Sequence, residues 1–261
     1  MANFYFSQTA VKDLEKEETC PVRWKNQWLD RAIPFQSSED LDKGKYFEQL
    51  LLGASSKKEE VIDDLPRLAS GTKSTDQIRI EQQAERGKRL LFNKQDPEYL
   101  GFVDITSQVS LFNEEEKTSG VLDIVCKDSY ETHWIIDLKL TKDLTNNRTE
   151  YGWGNNPEDM DLMQLVHYSE LYIHNFNIVP KIGVLIFDYS PKKRVKFIEL
   201  EISKNKILEK IERFNAAKEA VSLYGKLGWS YLPSVKECGN CPLLCSSRKI
   251  ESPIVKQVVK Y

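Results

Sequence analysis

The 261-residue chain is expected to fold as an α/β sandwich, and three observations say so. Between residues 102 and 140 three apolar stretches of strand length lie close together, separated by short polar segments. Helical patterns flank them, at 75 to 93 and at 157 to 176, and another apolar strand follows at 181 to 189. The order helix, three-stranded meander, helix, strand is that of a sheet covered by helices.

Residues 1 to 34 read as a helix opening after Ser7 or Thr9, then Cys20-Pro21 and a second amphipathic helix carrying Trp24, Trp28 and Leu29. A short helix runs from Gly44 to Leu52. From Gly53 to Ser74 the composition turns to Ser, Lys, Glu, Asp and Gly, a surface excursion. In the meander, Phe102 to Phe112 alternates, with Val103, Ile105, Val109 and Leu111 expected on one side. Gly120 to Lys127 and Thr132 to Leu140 form the second and third strands, antiparallel across a turn at Asp128 to Glu131. Residues 141 to 156 have no periodicity and read as a loop. Pro157 to Phe176 is a helix whose buried stripe is Leu162, Leu165, Val166, Ser169, Ile173 and Phe176. Lys181 to Tyr189 and Arg194 to Ile202 are strands, and Ser203 caps a helix to Leu223. The expected organisation is a single domain over 1–261, with a helical part over 1–95, a core over 96–202 and a tail over 203–261.

Composition excludes several classes. With 40% apolar and 30% charged residues the chain is neither disordered nor collagen-like. No apolar run reaches membrane-span length, and the first residues lack the basic-then-apolar order of a secretory signal, so a cytosolic protein is expected. Its 37 basic and 40 acidic residues give a net charge of −3, so the overall field does not draw it to a polyanion. Lys and Arg cluster at Arg86-Gly-Lys88-Arg89 and at Lys192-Lys193-Arg194-Val-Lys196. On charge alone these read as solvated faces.

The third strand holds the chemistry. Trp134-Ile-Ile-Asp137-Leu-Lys139-Leu140 is apolar enough to be central, yet Asp137 and Lys139, two apart, share a face. Burial of either ion without compensation would cost several kcal/mol, roughly, so the face must be a site that satisfies both, or else a mutual ion pair on an edge strand. Gly120-Val-Leu-Asp123-Ile-Val places another carboxylate in the neighbouring strand, and two carboxylates beside a lysine can coordinate a hard cation while the ammonium assists a water or a phosphate. Gln164 and Tyr168, four apart, lie on one edge of the following helix and can face the same cleft.

Of five cysteines, Cys238-Gly-Asn-Cys241-Pro-Leu-Leu-Cys245 crowds three into one turn, a spacing suited to a metal or an iron-sulfur cluster that needs a fourth ligand from elsewhere. Cys126 should point away from Asp123 and serve as a small buried hydrophobe.

Gly120-Val-Leu-Asp123, Asp137-Leu-Lys139, and Gln164 with Tyr168 resemble, in this order, the G-x-x-D, (D/E)-x-K and Q-x-x-x-Y motifs of the PD-(D/E)XK nuclease superfamily, and within it the RecB-like branch that includes the iron-sulfur CRISPR adaptation exonucleases. Ser7 to Leu14 with Cys20-Pro21 is similar to that branch's first helix and first cluster cysteine. The resemblance implies a restriction-endonuclease-like core and a metal-dependent DNA exonuclease acting on ends or single strands, in recombination, repair or DNA processing. It implies Asp123, Asp137, Lys139, Gln164 and Tyr168 as catalytic residues. Mg²⁺ or Mn²⁺ would be held by Asp123, Asp137, Glu48 and the backbone carbonyl beside Leu138. Glu48 stands where the branch often has a histidine; the alternative reading is a solvated helix residue. Cys20, Cys238, Cys241 and Cys245 would hold a 4Fe-4S cluster, or Zn²⁺ as the alternative occupant, clasping the chain's two ends. Trp153 would stack on a base. The alternative functions are a structure-dependent endonuclease and a non-catalytic DNA-binding protein with a structural zinc site.

Overall fold

The computed structural model describes residues 4–16, 19–35, 37–53, 65, 69–147, 152–154, 160–229 and 243. The chain divides into two units, one of Ser37–Lys210 and one of Met1–Gln36 with Ile211–Tyr261.

The larger unit opens with α3 (Glu39–Leu52), after α1 (Gln8–Leu14) and α2 (Pro21–Trp24) of the smaller one. α3 begins five residues before the expected Gly44. Ser38 accepts from the Leu41 amide, and Glu39, Asp40 and Asp42 place negative charge in the first turn, where the helix dipole favours it. It ends where Gly53 takes the left-handed conformation, φ +71°. α4 (Thr75–Phe92) follows, capped by Ser74.

The sheet comprises β1 (Val103–Asn113), β2 (Thr118–Lys127), β3 (His133–Thr141), β4 (Lys181–Asp188) and β5 (Val195–Leu200), in the order β1-β2-β3-β4-β5. Every neighbouring pair is antiparallel except β3 and β4, which are parallel, with α5 (Met163–Phe176) lying between them in the chain. β3 is therefore central, and Trp134 to Leu138 are buried without a break, the pattern of a strand covered on both faces.

On one face, Phe47 and Leu51 of α3 and Ile80, Ala84 and Leu91 of α4 pack on Ile124, Trp134, Ile136, Leu138 and Phe187. On the other, Leu165, Tyr168, Leu171 and Tyr172 of α5 pack on Leu122, Ile135, Ile182, Val184 and Ile186. Each large apolar side chain among them contributes about 1.5–3 kcal/mol by leaving water. α5 starts at Met163, six residues after the expected Pro157, where Asp161 Oδ1 accepts from the Met163 amide. Its stripe includes Leu171 and Tyr172, whereas Phe176, expected to be buried, is exposed at the last turn.

β1 departs from simple alternation. Ile105 packs on the α3/α4 side, but Val109 and Leu111 pack on the α5 side, and in β2 Ile124 and Leu122 divide in the same way. The change falls at Gln108, φ +55°, between the ladder pairs Ser107–Ile124 and Val109–Leu122. A left-handed residue turns the strand out of its two-residue period, so the expected common side for Val103, Ile105, Val109 and Leu111 is not what forms.

In the smaller unit, Phe6, Ala10, Val11, Trp24 and Trp28 form a core with Phe214, Ala217 and Val221 of α6 (Lys204–Leu227). α2 continues as a π-helical turn over Lys25–Leu29. Among the described residues no helix is long and apolar enough to cross a membrane.

Candidate active site

The β2–β3 ladder runs from Lys127–His133 to Ile124–Ile136, and Asp123 and Asp137 are the residues that follow its last pair on each strand. The Leu138 amide donates to Asp123 Oδ2 at 2.9 Å, so this carboxylate bridges to the next strand. Both acids are buried, Asp123 to 7% exposure and Asp137 to 2%. Lys139 Nζ lies 2.7 Å from Asp137 Oδ2, while Asp137 Oδ1 is buried with no hydrogen-bond partner. The mutual ion pair exists, but on the central strand rather than an edge.

Burial lifts the Asp123 acid well above the carboxylate range, and the charges of Asp137 and then Glu48 push the same way against Lys139 and the Leu138 amide. For Lys139, burial opposes the charged form, but the two carboxylates and the hydrogen bond to Asp137 outweigh it and hold the ammonium above the usual lysine range. Glu48 on α3 is half-buried and within electrostatic reach of Asp123. Leu138 turns the other way, into the α3/α4 core.

α5 supplies the opposite wall. Gln164 Nε2 donates to Tyr168 Oη at 2.6 Å, as the four-residue spacing allows. The Tyr168 phenol is held above its ordinary range, first by burial and then by the Asp137 and Asp123 charges. Gly120 makes room for this ring, because a Cβ there would fall 2.9 Å from Tyr168 Cε1 and 3.0 Å from Leu171 Cδ1. Asp123, Asp137, Lys139, Gln164 and Tyr168, with Glu48, thus gather about one end of β3. Among the described residues, no three His, Cys, Asp or Glu side chains form a ready metal cage.

Other expected features resolve differently. Cys20 is buried at the start of α2, whereas Cys238, Cys241 and Cys245 lie outside the described residues. Cys126 is a buried member of the α3/α4 core, as expected, and burial lifts its thiol to about 12. Trp153 is buried among Leu144, Met160 and Leu165, so it is a core residue and not a base-stacking platform. The basic clusters are engaged within the protein: Arg86 with Glu98 and the Lys193 carbonyl, Lys88 with Glu85, Arg89 with Asp96, Arg194 with Asp188 and Asp143, and Lys196 with the Trp153 carbonyl. One feature beside Asp123 gave no sign in the sequence. Gln108, between the ladder pairs Ser107–Ile124 and Val109–Leu122, reads as an ordinary strand residue between serine and valine, because nothing local announces its left-handed backbone.

Neither a family model nor a curated protein matches the chain. Its fold is shared with a crystal structure from Eubacterium rectale of a protein described provisionally as an exonuclease, 17% identical, covering 99% of this chain and 91% of that one, with a TM-score of 0.59. At that identity the likeness is one of fold, and the expected α/β core of helix, three-stranded meander, helix and strand is the fold found. A second solved structure, carrying a locus label rather than a functional name, is 13% identical over 79% of this chain and 74% of its own; its TM-score of 0.35 supports no argument.

Proposed function

We propose that this chain is a metal-dependent deoxyribonuclease of the PD-(D/E)XK type, in the RecB-like branch, an exonuclease hydrolysing phosphodiester bonds at DNA ends or in single strands. The observation that carries this reading is Asp137: a buried carboxylate on a central strand, one oxygen paired with Lys139 and the other without a partner, beside a second buried carboxylate. Two acids so placed are costly unless a cation compensates them, and oxygen donors suit a hard one. Asp123, Asp137, Glu48 and the Leu138 carbonyl would hold Mg²⁺ or Mn²⁺. When bound, such an ion offsets the charge of a phosphate and acidifies water.

The side chains around it do the rest. Lys139, kept charged by Asp137, orients the attacking water and stabilises negative charge building on the phosphate. Tyr168 stays protonated and accepts from Gln164, which leaves its own hydrogen free to hold a phosphate oxygen of the strand. The preference for ends or unpaired strands is supported by the charge: the net is −3, and Arg86, Arg194 and Lys196 of the two basic clusters are paired within the protein.

Cys20, Cys238, Cys241 and Cys245 would bind a 4Fe-4S cluster, with Zn²⁺ as the other candidate. Support comes from the smaller unit, where Trp24, four residues after Cys20, stacks on Trp229, nine before Cys238, at 6.3 Å and 6° between planes.

The test is cleavage by purified protein with Mn²⁺ or Mg²⁺. Linear single-stranded DNA should be degraded faster than covalently closed duplex, and EDTA should stop the reaction. Asp137→Ala and Lys139→Ala should each lose at least about 10²-fold in rate. Cleavage by both variants at the parental rate would refute the site, whereas equal or faster nicking of the closed duplex would make the protein an endonuclease.

A further inference from the structure

Gln108 carries two unfavourable features at one position. Its φ of +55° lies in the left-handed region that long side chains seldom adopt, and both its amide atoms, Oε1 and Nε2, are buried without a hydrogen-bond partner. Neither feature helps a strand, and together they mark a residue kept for something other than stability. The ladder shows where that something is. Pairs Ser107–Ile124 and Val109–Leu122 flank the position, so Gln108 stands across from Asp123. The register brings the two backbones side by side here, at the point where the left-handed residue takes β1 out of regular alternation. Asp123 itself is tied through Oδ2 to the Leu138 amide, and Asp137 Oδ1 nearby also lacks a partner. An amide offers two donors and an acceptor, so it can engage a carboxylate and a second polar group together.

We infer that Gln108 is a positioning residue for the Asp123 carboxylate, its amide taking up partners when the cation site fills. The inference rests on the metal-nuclease reading above. Groups that orient metal ligands from behind are commonly worth 10- to 100-fold in metal affinity or activity. The backbone strain and the buried amide are then the cost of that orientation, borne by the cation-free protein.

The experiment uses the full chain and Gln108→Gly, which relieves the left-handed strain and removes the amide, with Gln108→Asn, which keeps an amide and tolerates this backbone. Melting is measured in EDTA, Mn²⁺ binding by calorimetry without DNA, and kcat and KM on linear single-stranded DNA. Gln108→Gly should melt higher than the parent, bind Mn²⁺ about tenfold more weakly, and lose kcat by a similar factor with KM within twofold. Gln108→Asn should recover part of the Mn²⁺ affinity. Parental Mn²⁺ affinity and kcat in Gln108→Gly, whichever way its melting moves, would overturn the inference and leave the nuclease intact. A parent that binds no Mn²⁺ and cuts nothing would overturn the metal reading itself, and this inference with it.

Discussion

Asp123 links burial to pH at the scale of one carboxyl. Its folded pKa is raised, first by burial and then by Asp137 and Glu48, so in the cation-free protein the native state binds its proton more tightly than the unfolded chain does. The stability from this group is complete below the ordinary carboxylate pKa of about 4 and is lost as pH rises through the raised folded value. Asp123→Asn, which keeps an acceptor for the Leu138 amide and needs no ionisation, should therefore melt higher than the parent at pH 8 in EDTA. The difference should shrink toward pH 4, and cleavage should be absent throughout. A variant that melts lower at pH 8 would show that the acid is not a cost to the cation-free fold. The same linkage makes cation binding release a proton and strengthen with pH, which calorimetry in buffers of different ionisation enthalpy would detect.

At the scale of elements, the β4–β5 hairpin is held by an ion pair between a buried Asp188 and a half-exposed Arg194, which also reaches the segment after β3. Arg194 donates from Nε and Nη2 to Asp188 Oδ2, at 3.0 and 2.7 Å, and from Nη2 to Asp143 Oδ1 at 2.8 Å. Asp188 is fully buried, so removing its partner leaves an uncompensated charge. Arg194→Met should lower the urea midpoint of unfolding, and Asp188→Asn in the same chain should restore most of the loss. An unchanged urea midpoint in Arg194→Met would reduce the contact to an ordinary surface pair. The basic run at 192 to 196 could not reveal this role, since its partners lie on other elements. By contrast, the strands, α4 and the cap of α6 at Ser203 were legible, because period, apolar content and capping residues are local properties.

Across the whole molecule, the smaller unit gathers residues from both ends of the chain. Arg213 pairs with Glu15, and Trp24 stacks on Trp229, in the same unit that contains Cys20. Protein purified without oxygen should be brown with visible charge-transfer absorption, and Cys20→Ser or Cys241→Ser should lower its melting temperature. Colourless protein with stoichiometric zinc would favour the other occupant; metal-free protein with unchanged melting in both variants would remove the clasp.

The residue types and their spacing were enough to place Asp123, Asp137 and Lys139 on adjoining strands and Gln164 and Tyr168 together on one helix, because strand and helix periods follow from backbone geometry alone. Whether the acids and the lysine pair, which oxygen is left without a partner, and that Trp153 belongs to the core depended on packing between residues far apart in the chain. Gln108 is the clearest case: its left-handed backbone, and the switch of faces it imposes on β1, arise where β1 meets β2 at Asp123, an encounter that no local run of residues encodes.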